Sequence, residues 1–323
     1  MDALYDSLGR HIHYLRVAIT DRCNFRCQYC MPSSGVKWMG RDDILQYEEL
    51  LRIINAFACL GIDKVRITGG EPLLRKGLIP FLYQVTAISG IKEVAITTNG
   101  SRLEEYALLL KQAGVKRINV SLDTLVRERF QQITGQDGLH KVLAGIKKAW
   151  EVGFRSIKIN MVVMKDFNSD ELADFVNLAM NNPYQIRFIE YMPFNAERKY
   201  LFPAAKMKQQ LLAAGFNQMI PEISNSSPAQ LYRFNQSQGS IGFITPVSQH
   251  FCSSCNRIRL TPDGNLKPCL LSNKEYSLRE LLRAGISDQE LLKRIRQVVW
   301  DKPKQQDLKN KKRNERSMHC IGG

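Results

Sequence analysis

No run of this 323-residue sequence is apolar for long enough to cross a membrane; residues 161–164 are typical of its short apolar stretches. The first thirty residues hold no continuous apolar core, so no secretory signal is expected. A cytoplasmic protein with reduced thiols follows, and disulfides become the poorest account of its eight cysteines. Repeats are missing too, apart from a strand–helix rhythm. Acidic residues are few: 31 Asp and Glu face 46 Lys and Arg, a formal charge of +15. Such a balance suits an anionic partner, whether a nucleic acid, a nucleotide or a membrane surface. Part of the surplus is local. Residues 302–316 carry seven Lys/Arg against Asp307 and Glu315, the pattern of a solvated tail. Aromatic residues are not interleaved with that tail, as stacking on nucleic-acid bases would require. What remains is ordinary for a globular protein, 44% hydrophobic and 24% charged, and long enough for one large domain or two smaller ones.

The most informative absence is a fourth thiolate. Cys23-x3-Cys27-x2-Cys30 follows an apolar run at 15–20. A cubane iron–sulfur cluster takes four thiolates, one per iron, so three would leave one iron open to an exchangeable ligand. Phe25 and Tyr29 lie within the loop and would screen a cluster from water. Structural zinc wants four protein ligands; the nearest candidates, His11 and His13, lie beyond the strand. A second triplet, Cys252-x2-Cys255-x13-Cys269, repeats the deficit, and here His250 offers a Cys3His zinc site as an alternative. Arg257 and Arg259 follow at strand spacing, and guanidinium groups suit phosphate or carboxylate. Cys59, within a helical stretch, is expected to be a small buried apolar residue. Cys320 receives no role.

Between 14 and 192 the chain alternates strand and helix signals. Strands are predicted at 15–20, 64–68, 94–98, 117–121, 156–164 and 185–190. Amphipathic stretches at 48–60, 107–114 and 139–153 lie between them, the first with Leu50, Leu51, Ile54, Phe57 and Ala58 on one face and Gly61 as its stop. Six such units imply a parallel sheet, open or curved into part of a barrel. After 192 the register changes. A helix is predicted at 206–215, short strands at 231–234, 240–245 and 257–261, a turn at Pro262-Asp-Gly264, loops at 225–228 and 236–239, and helices at 278–284 and 288–300. A domain boundary is set near 195, dividing the chain into 1–195 and 196–323.

Buried parallel strands are usually apolar on both faces. Here polar residues recur at period two: Arg16 and Thr20; Arg66 and Thr68; Thr97 and Asn99; Asn119, Ser121 and Asp123; Lys158 and Asn160. The strand at 185–190 alternates less cleanly. A sheet face lined by cations and hydroxyls suggests a lumen for an anionic ligand.

The run Arg22-Cys-Asn-Phe-Arg-Cys-Gln-Tyr-Cys-Met-Pro32, with Gly69-Gly-Glu-Pro72, resembles the radical S-adenosylmethionine (SAM) enzymes. Thr97-Thr-Asn-Gly100, Ile118-Asn-Val-Ser-Leu-Asp123, Arg187-Phe-Ile-Glu190, Phe251-Cys-Ser-Ser-Cys-Asn-Arg-Ile-Arg-Leu260 and Ile321-Gly-Gly323 narrow the resemblance to the GTP 3′,8-cyclases, enzymes of molybdenum cofactor biosynthesis. The resemblance implies an α/β fold, an incomplete (βα)6 TIM-like radical SAM barrel followed by a smaller α+β C-terminal domain with a second cluster. It implies a lyase with SAM and two [4Fe-4S] clusters, one on Cys23, Cys27 and Cys30, the other on Cys252, Cys255 and Cys269. Tyr29, Gly70, Ser121 and Met192 match SAM-binding positions. Arg16, Arg66, Thr97, Lys158, Arg257, Ile258 and Arg259 match GTP-contacting positions. Gly69 and Gly70 are expected to let backbone approach the cofactor.

The implied reaction takes hydrogen from C3′ of the GTP ribose and closes C3′ onto C8 of guanine, giving 3′,8-cyclo-7,8-dihydro-GTP. Gly322 and Gly323 would enter the active site, with Arg257 and Arg259 beside them. The implied partners are GTP, an unidentified reductant protein and, by hand-off, a cyclic pyranopterin monophosphate synthase, with no membrane or nucleic acid and a monomeric or homodimeric state. One departure stands out: where the family often has a histidine after Lys-Pro, this chain reads Lys302-Pro-Lys-Gln-Gln306. Two alternatives stay open, a radical SAM enzyme acting on a peptide or RNA, and a non-catalytic nucleic-acid binder with zinc or iron–sulfur modules.

Overall fold

A computed structural model describes residues 3–31, 35–193, 198–222, 228–304 and 316–322. The elements run β1 (Tyr14–Ala18), α1 (Tyr47–Cys59), β2 (Lys64–Thr68), α2 (Leu78–Ala87), β3 (Glu93–Thr98), α3 (Leu103–Gln112), β4 (Arg117–Ser121), α4 (Arg127–Thr134), α5 (Leu139–Glu151), β5 (Ile157–Val163), α6 (Leu172–Asn181) and β6 (Gln185–Glu190). There follow α7 (Ala204–Ala213), β7 (Ile220–Glu222), β8 (Ala229–Arg233), β9 (Ser240–Ile244), β10 (Arg257–Leu260), β11 (Asn265–Lys267), β12 (Tyr276–Ser277), α8 (Arg279–Arg283) and α9 (Asp288–Trp300). Every strand and helix expected from the sequence is present, with the expected ends in β2, β4, β6 and α9 and shifted ends in the others. The strands not anticipated, β7, β11 and β12, are two or three residues long, too short for period-two alternation to register. Pro32, the boundary at 195, residues 225–227 of a predicted loop, residues 305–315 of the basic segment, and Gly323 lie outside the described residues.

The chain divides into two compact units. One holds residues 1–97, 108–116 and 252–323; the other holds 98–107 and 117–251. The strands expected after residue 196 therefore enter both. In the first unit the strand order is β12-β11-β10-β1-β2-β3. β10, β1, β2 and β3 run parallel, and β11 and β12 are antiparallel. In the second the order is β4-β5-β6-β9-β8-β7, parallel as far as β9 and antiparallel beyond.

Each unit packs helices on the apolar face of its strands. In the first, Leu15 and Val17 of β1, Val65 and Ile67 of β2 and Val94 and Ile96 of β3 are buried, as are Ile53, Ile54 and Phe57 of α1 and Phe81, Leu82 and Val85 of α2. Each such side chain contributes about 1.5–3 kcal/mol, and Phe57→Ala would cost about 3–5 kcal/mol through the cavity it leaves. Leu51, expected on the buried face of α1, is half-buried, and Ile53 is buried in addition. Cys59 is exposed, contrary to expectation. It lies roughly 200° around the helix from buried Phe57, which turns it to solvent.

Candidate active site

The polar period seen in the sequence becomes one face of the first unit. In the register of β10, β1 and β2, Tyr14 lies opposite Arg257 and Lys64, and Arg16 opposite Arg259 and Arg66. Arg66 in turn lies opposite Ala95, and Thr97 follows on the same side of β3. Four guanidinium groups thus share three neighbouring strands. Arg66 and Arg259 are buried; Arg16 and Arg257 are half-buried. Burial, then Arg259 and Arg66, push the Arg16 guanidinium well below its ordinary value. Burial and then Arg257 bring Arg259 down to about 10. Tyr14 is buried among them, its ring 5.1 Å from Lys64 Nζ and 5.4 Å from the Arg66 guanidinium carbon. Burial works to raise its phenol, but Arg66, Arg16, Arg257 and Lys64 outweigh it and hold the group low. So many like charges out of water demand an anion. A polyphosphate fits that demand, and the Tyr14 hydroxyl, buried with no hydrogen-bond partner among the described residues, offers it one more polar contact.

Ile258 stands between the two arginines of β10, so its side chain is on the opposite, apolar face and 1% exposed. Only its main chain is available to a ligand on the cationic side. Tyr14 and Lys64 were missed by the sequence reading, although the same period of two includes them.

The first cysteine triplet leaves the C-terminal end of β1. Ile19 N donates to Thr68 O (2.9 Å), Gly70 N to Thr20 O (2.7 Å) and Glu71 N to Arg22 O (2.7 Å), which binds the base of the loop to Gly69-Gly-Glu-Pro72. A Cβ at Gly69 would lie 2.4 Å from Thr20 O, and one at Gly70 would lie 2.3 Å from Arg22 O. These glycines thus serve a close approach of two main chains. Cys30 N and Met31 N both donate to Cys27 O (2.9 and 3.0 Å), curling the loop. Phe25 N lies 3.4 Å from Cys23 Sγ, a donor suited to a thiolate. Phe25 is buried and Tyr29 half-buried. Trp38 stands under two cations of the loop, 5.2 Å from Arg22 and 5.1 Å from Arg26.

The second triplet lies in the same unit. Cys252, Cys255 and Cys269 are half-buried and in no disulfide. Burial works to raise the Cys255 thiol, but Lys302 and Arg257 overcome it and lower the group toward the thiolate that an iron–sulfur cluster needs. Thiolate donors suit iron–sulfur clusters, but among the described residues no three His, Cys, Asp or Glu side chains are drawn together closely enough to hold a metal ion. Cys320, by contrast, is pushed up to about 12 by burial and Asp21 and stays a thiol.

Residues 316–322 pack against these elements. Arg316 donates to both carboxylate oxygens of Asp263 (3.0 and 2.7 Å) and pairs with Glu275 at 2.8 Å. The buried His319 ring meets Trp38 edge-on at 5.7 Å. Gly322 O accepts from Arg259 Nη1 at 2.7 Å.

Ser121, Lys158 and Met192 belong to the second unit. Ser121 lies opposite Asn160, and Asn119 opposite Lys158. Asn160 lies opposite Arg187. Gln185 and Arg187 thus extend the polar face onto β6, where the sequence pattern was least clean. Asp123, one of the period-two residues, is instead a brace: its Oδ1 accepts from Val162 N at 2.8 Å.

The profile of the Radical SAM superfamily matches residues 17–179, and that of Molybdenum Cofactor Synthesis C matches 184–308. A GTP 3′,8-cyclase of Moorella thermoacetica is 42% identical over 99% of this chain and 100% of its own length. Molybdenum cofactor biosynthesis protein 1 of Bos taurus is 45% identical over 94% of this chain and 48% of that protein. Among solved structures, SuiB of Streptococcus suis bound to S-adenosylmethionine has a TM-score of 0.62 at 14% identity, covering 88% of this chain and 68% of its own. The enzyme anSMEcpe with bound AdoMet has a TM-score of 0.57 at 17% identity, covering 87% and 82%. The fold is that of the radical SAM enzymes, and the chain belongs to the GTP 3′,8-cyclase family within that superfamily.

Proposed function

We propose that this chain performs the radical SAM cyclisation of GTP to 3′,8-cyclo-7,8-dihydro-GTP, the first step of molybdenum cofactor biosynthesis. It works with two [4Fe-4S] clusters and SAM. The observation that carries the reading is the crowded face of Arg16, Arg66, Arg257 and Arg259 in the unit that bears both cysteine triplets. That face supports a polyphosphate ligand over a peptide or a zinc-bound nucleic-acid module.

Cys23, Cys27 and Cys30 hold the cluster that serves SAM, and Tyr29, Gly70, Ser121 and Met192 bind SAM. SAM, when bound, supplies the hydrogen abstraction at the ribose that starts closure of C3′ onto C8. Cys252, Cys255 and Cys269 hold the second cluster. Arg16, Arg66, Thr97, Lys158, Arg257, Arg259 and the main chain of Ile258 bind GTP, the guanidinium groups neutralising the triphosphate without surrendering a proton. Holding the ribose and base in one geometry removes the entropy of bringing C3′ and C8 together. Gly322, whose carbonyl accepts from Arg259, enters the active site and helps to keep water from it, with Gly323 acting beside it in turnover. The chain divides functionally near 195 into a barrel module and a C-terminal module. A reductant protein supplies electrons. The labile product passes to a cyclic pyranopterin monophosphate synthase. The enzyme is cytoplasmic, a monomer or homodimer; no helix among the described residues is long and apolar enough to cross a membrane.

The test is an anaerobic assay of cluster-reconstituted protein with GTP, SAM and a strong reductant, read by mass spectrometry. GTP-dependent 5′-deoxyadenosine with a cyclised isomer of GTP mass is the expected result. Deoxyadenosine without a GTP product would move the assignment to another substrate.

A further inference from the structure

Lys302 sits just past α9, where its N–H donates to Val299 O at 3.0 Å. It is 4% exposed. A lysine is seldom buried, because its ammonium must find acceptors and a counter-charge. Nζ donates to Arg257 O at 2.8 Å and to Pro268 O at 2.6 Å. Arg257 is two residues beyond Cys255, and Pro268 immediately precedes Cys269. One ammonium therefore ties two cysteine-bearing segments together. The third is tied through Arg10: Nη1 donates to Cys252 O at 2.7 Å, while Nη2 donates to Lys302 O at 3.2 Å and Pro303 O at 2.8 Å. Arg10 is charge-matched by Asp6, whose Oδ2 lies 2.5 Å from Nε. Lys302 has no carboxylate within ion-pair distance among the described residues. The hydrogen bonds of its ammonium go to two main-chain carbonyls. A buried ammonium so placed is costly unless an anion faces it, and the cysteines whose segments it ties are the groups that would carry negative charge in a cluster.

We propose that Lys302 is a positioning residue of the second cysteine triplet, locking the Cys255 and Cys269 segments together and supplying the buried positive charge that offsets a cluster's thiolates. The proposal rests on the reading that Cys252, Cys255 and Cys269 hold the second cluster. It gives a role to the Lys302-Pro303 pair, whose lysine belongs by sequence to a basic run expected to be solvated. A fixed cation beside a cluster favours its reduced form and raises its potential.

The test uses the full chain with Cys23, Cys27 and Cys30 replaced by alanine, reconstituted anaerobically, so that only the second cluster contributes. Iron content and an electron-paramagnetic-resonance redox titration are recorded for this parent, for Lys302→Met and for Lys302→Arg. Lys302→Met is expected to shift the midpoint to a more negative potential or to lose iron. Lys302→Arg is expected to return both toward the parent. Parent iron and parent midpoint in Lys302→Met would overturn the proposal. If Lys302→Met holds no iron, Lys302→Arg decides: retention with a midpoint near the parent supports the role of the charge, and loss there also overturns it. A parent that binds no iron removes the cluster assignment, and this proposal with it.

Discussion

Gly322 lies so close to Thr68 that a methyl group on its α-carbon would fall 2.4 Å from Thr68 Cγ2 and 3.4 Å from Ala18 Cβ. Its φ of +66° is in the left-handed region that favours glycine, and its carbonyl is held by Arg259. Position 322 therefore requires glycine for both backbone conformation and space. The contact joins the end of the chain to the ends of β1 and β2, next to the cationic face.

Gly322→Ala is expected to displace the tail and lower turnover at least about tenfold, a barrier change of about 1.4 kcal/mol. Both clusters should remain, since no cysteine triplet depends on residue 322 for a hydrogen bond among the described residues. Deletion of Gly322 and Gly323 should abolish turnover with iron content unchanged. Product formation and iron per chain, measured on the same samples, check this; full activity after deletion would remove the tail from the mechanism.

Gly70→Ala acts on the other side of the same strands. The added methyl would meet Arg22 O at 2.3 Å and Asp21 O at 2.6 Å, both backbone atoms that cannot swing aside. The hydrogen bonds Gly70 N to Thr20 O and Glu71 N to Arg22 O would break, and the loop bearing Cys23 would lose its base. About half of the iron should be lost, from the first cluster only, and SAM cleavage with it. Mössbauer or iron analysis beside a Cys23→Ser control checks the assignment. Iron equal to the wild type in Gly70→Ala would show that the loop tolerates the displacement.

The cationic face was legible in the sequence because a strand alternates with a period of two, and Arg16, Arg66 and Thr97 each announce their side by what flanks them. The pairing of Arg257 and Arg259 with β1 was not legible. It joins residues some 240 positions apart, and no local pattern states which strand a distant segment will lie beside. Tyr14 was hidden for another reason: a tyrosine beside a strand reads as core, and only the register opposite Lys64 and Arg257 shows it among cations. The burial of Lys302 was not legible either: a charge run suggested solvent, and the fold put its ammonium against two main-chain carbonyls.

Arg259 touches both the tail and the cation cluster, so its loss should be read in two quantities. Arg259→Ala is expected to raise KM for GTP about tenfold and to uncouple the reaction, with 5′-deoxyadenosine formed in excess over cyclised product. Arg259→Lys keeps a charge but not a planar fork, and should recover binding more than coupling. Steady-state kinetics with both products quantified separates the two effects. Equal coupling in Arg259→Ala and the wild type would place the residue outside the substrate site.

Arg316 anchors the described tail at its start, and the anchor has a defined pH window. Burial works to raise the Asp263 carboxyl, but its hydrogen bonds with Arg316 and Thr261 win and hold it below the usual range. A carboxylate depressed on folding contributes stability that is fully present above its unfolded value of about 3.9 and is lost as pH falls through the lower folded value. The anchor should thus be insensitive to pH between neutrality and about pH 5 and fail only below about pH 4. Arg316→Ala should reproduce that failure at neutral pH. The Arg316 side chain is 23% exposed, so the loss is about 1–2 kcal/mol of tail docking, short of the cost of a fully buried pair. Hydrogen exchange at the amides of Cys320 and Ile321, which are bonded to Ser317 O and Met318 O, reads docking directly. Faster exchange in Arg316→Ala with lowered turnover and unchanged iron is the expected outcome. Unchanged protection would mean that His319 against Trp38 and Gly322 against Arg259 hold the tail without it.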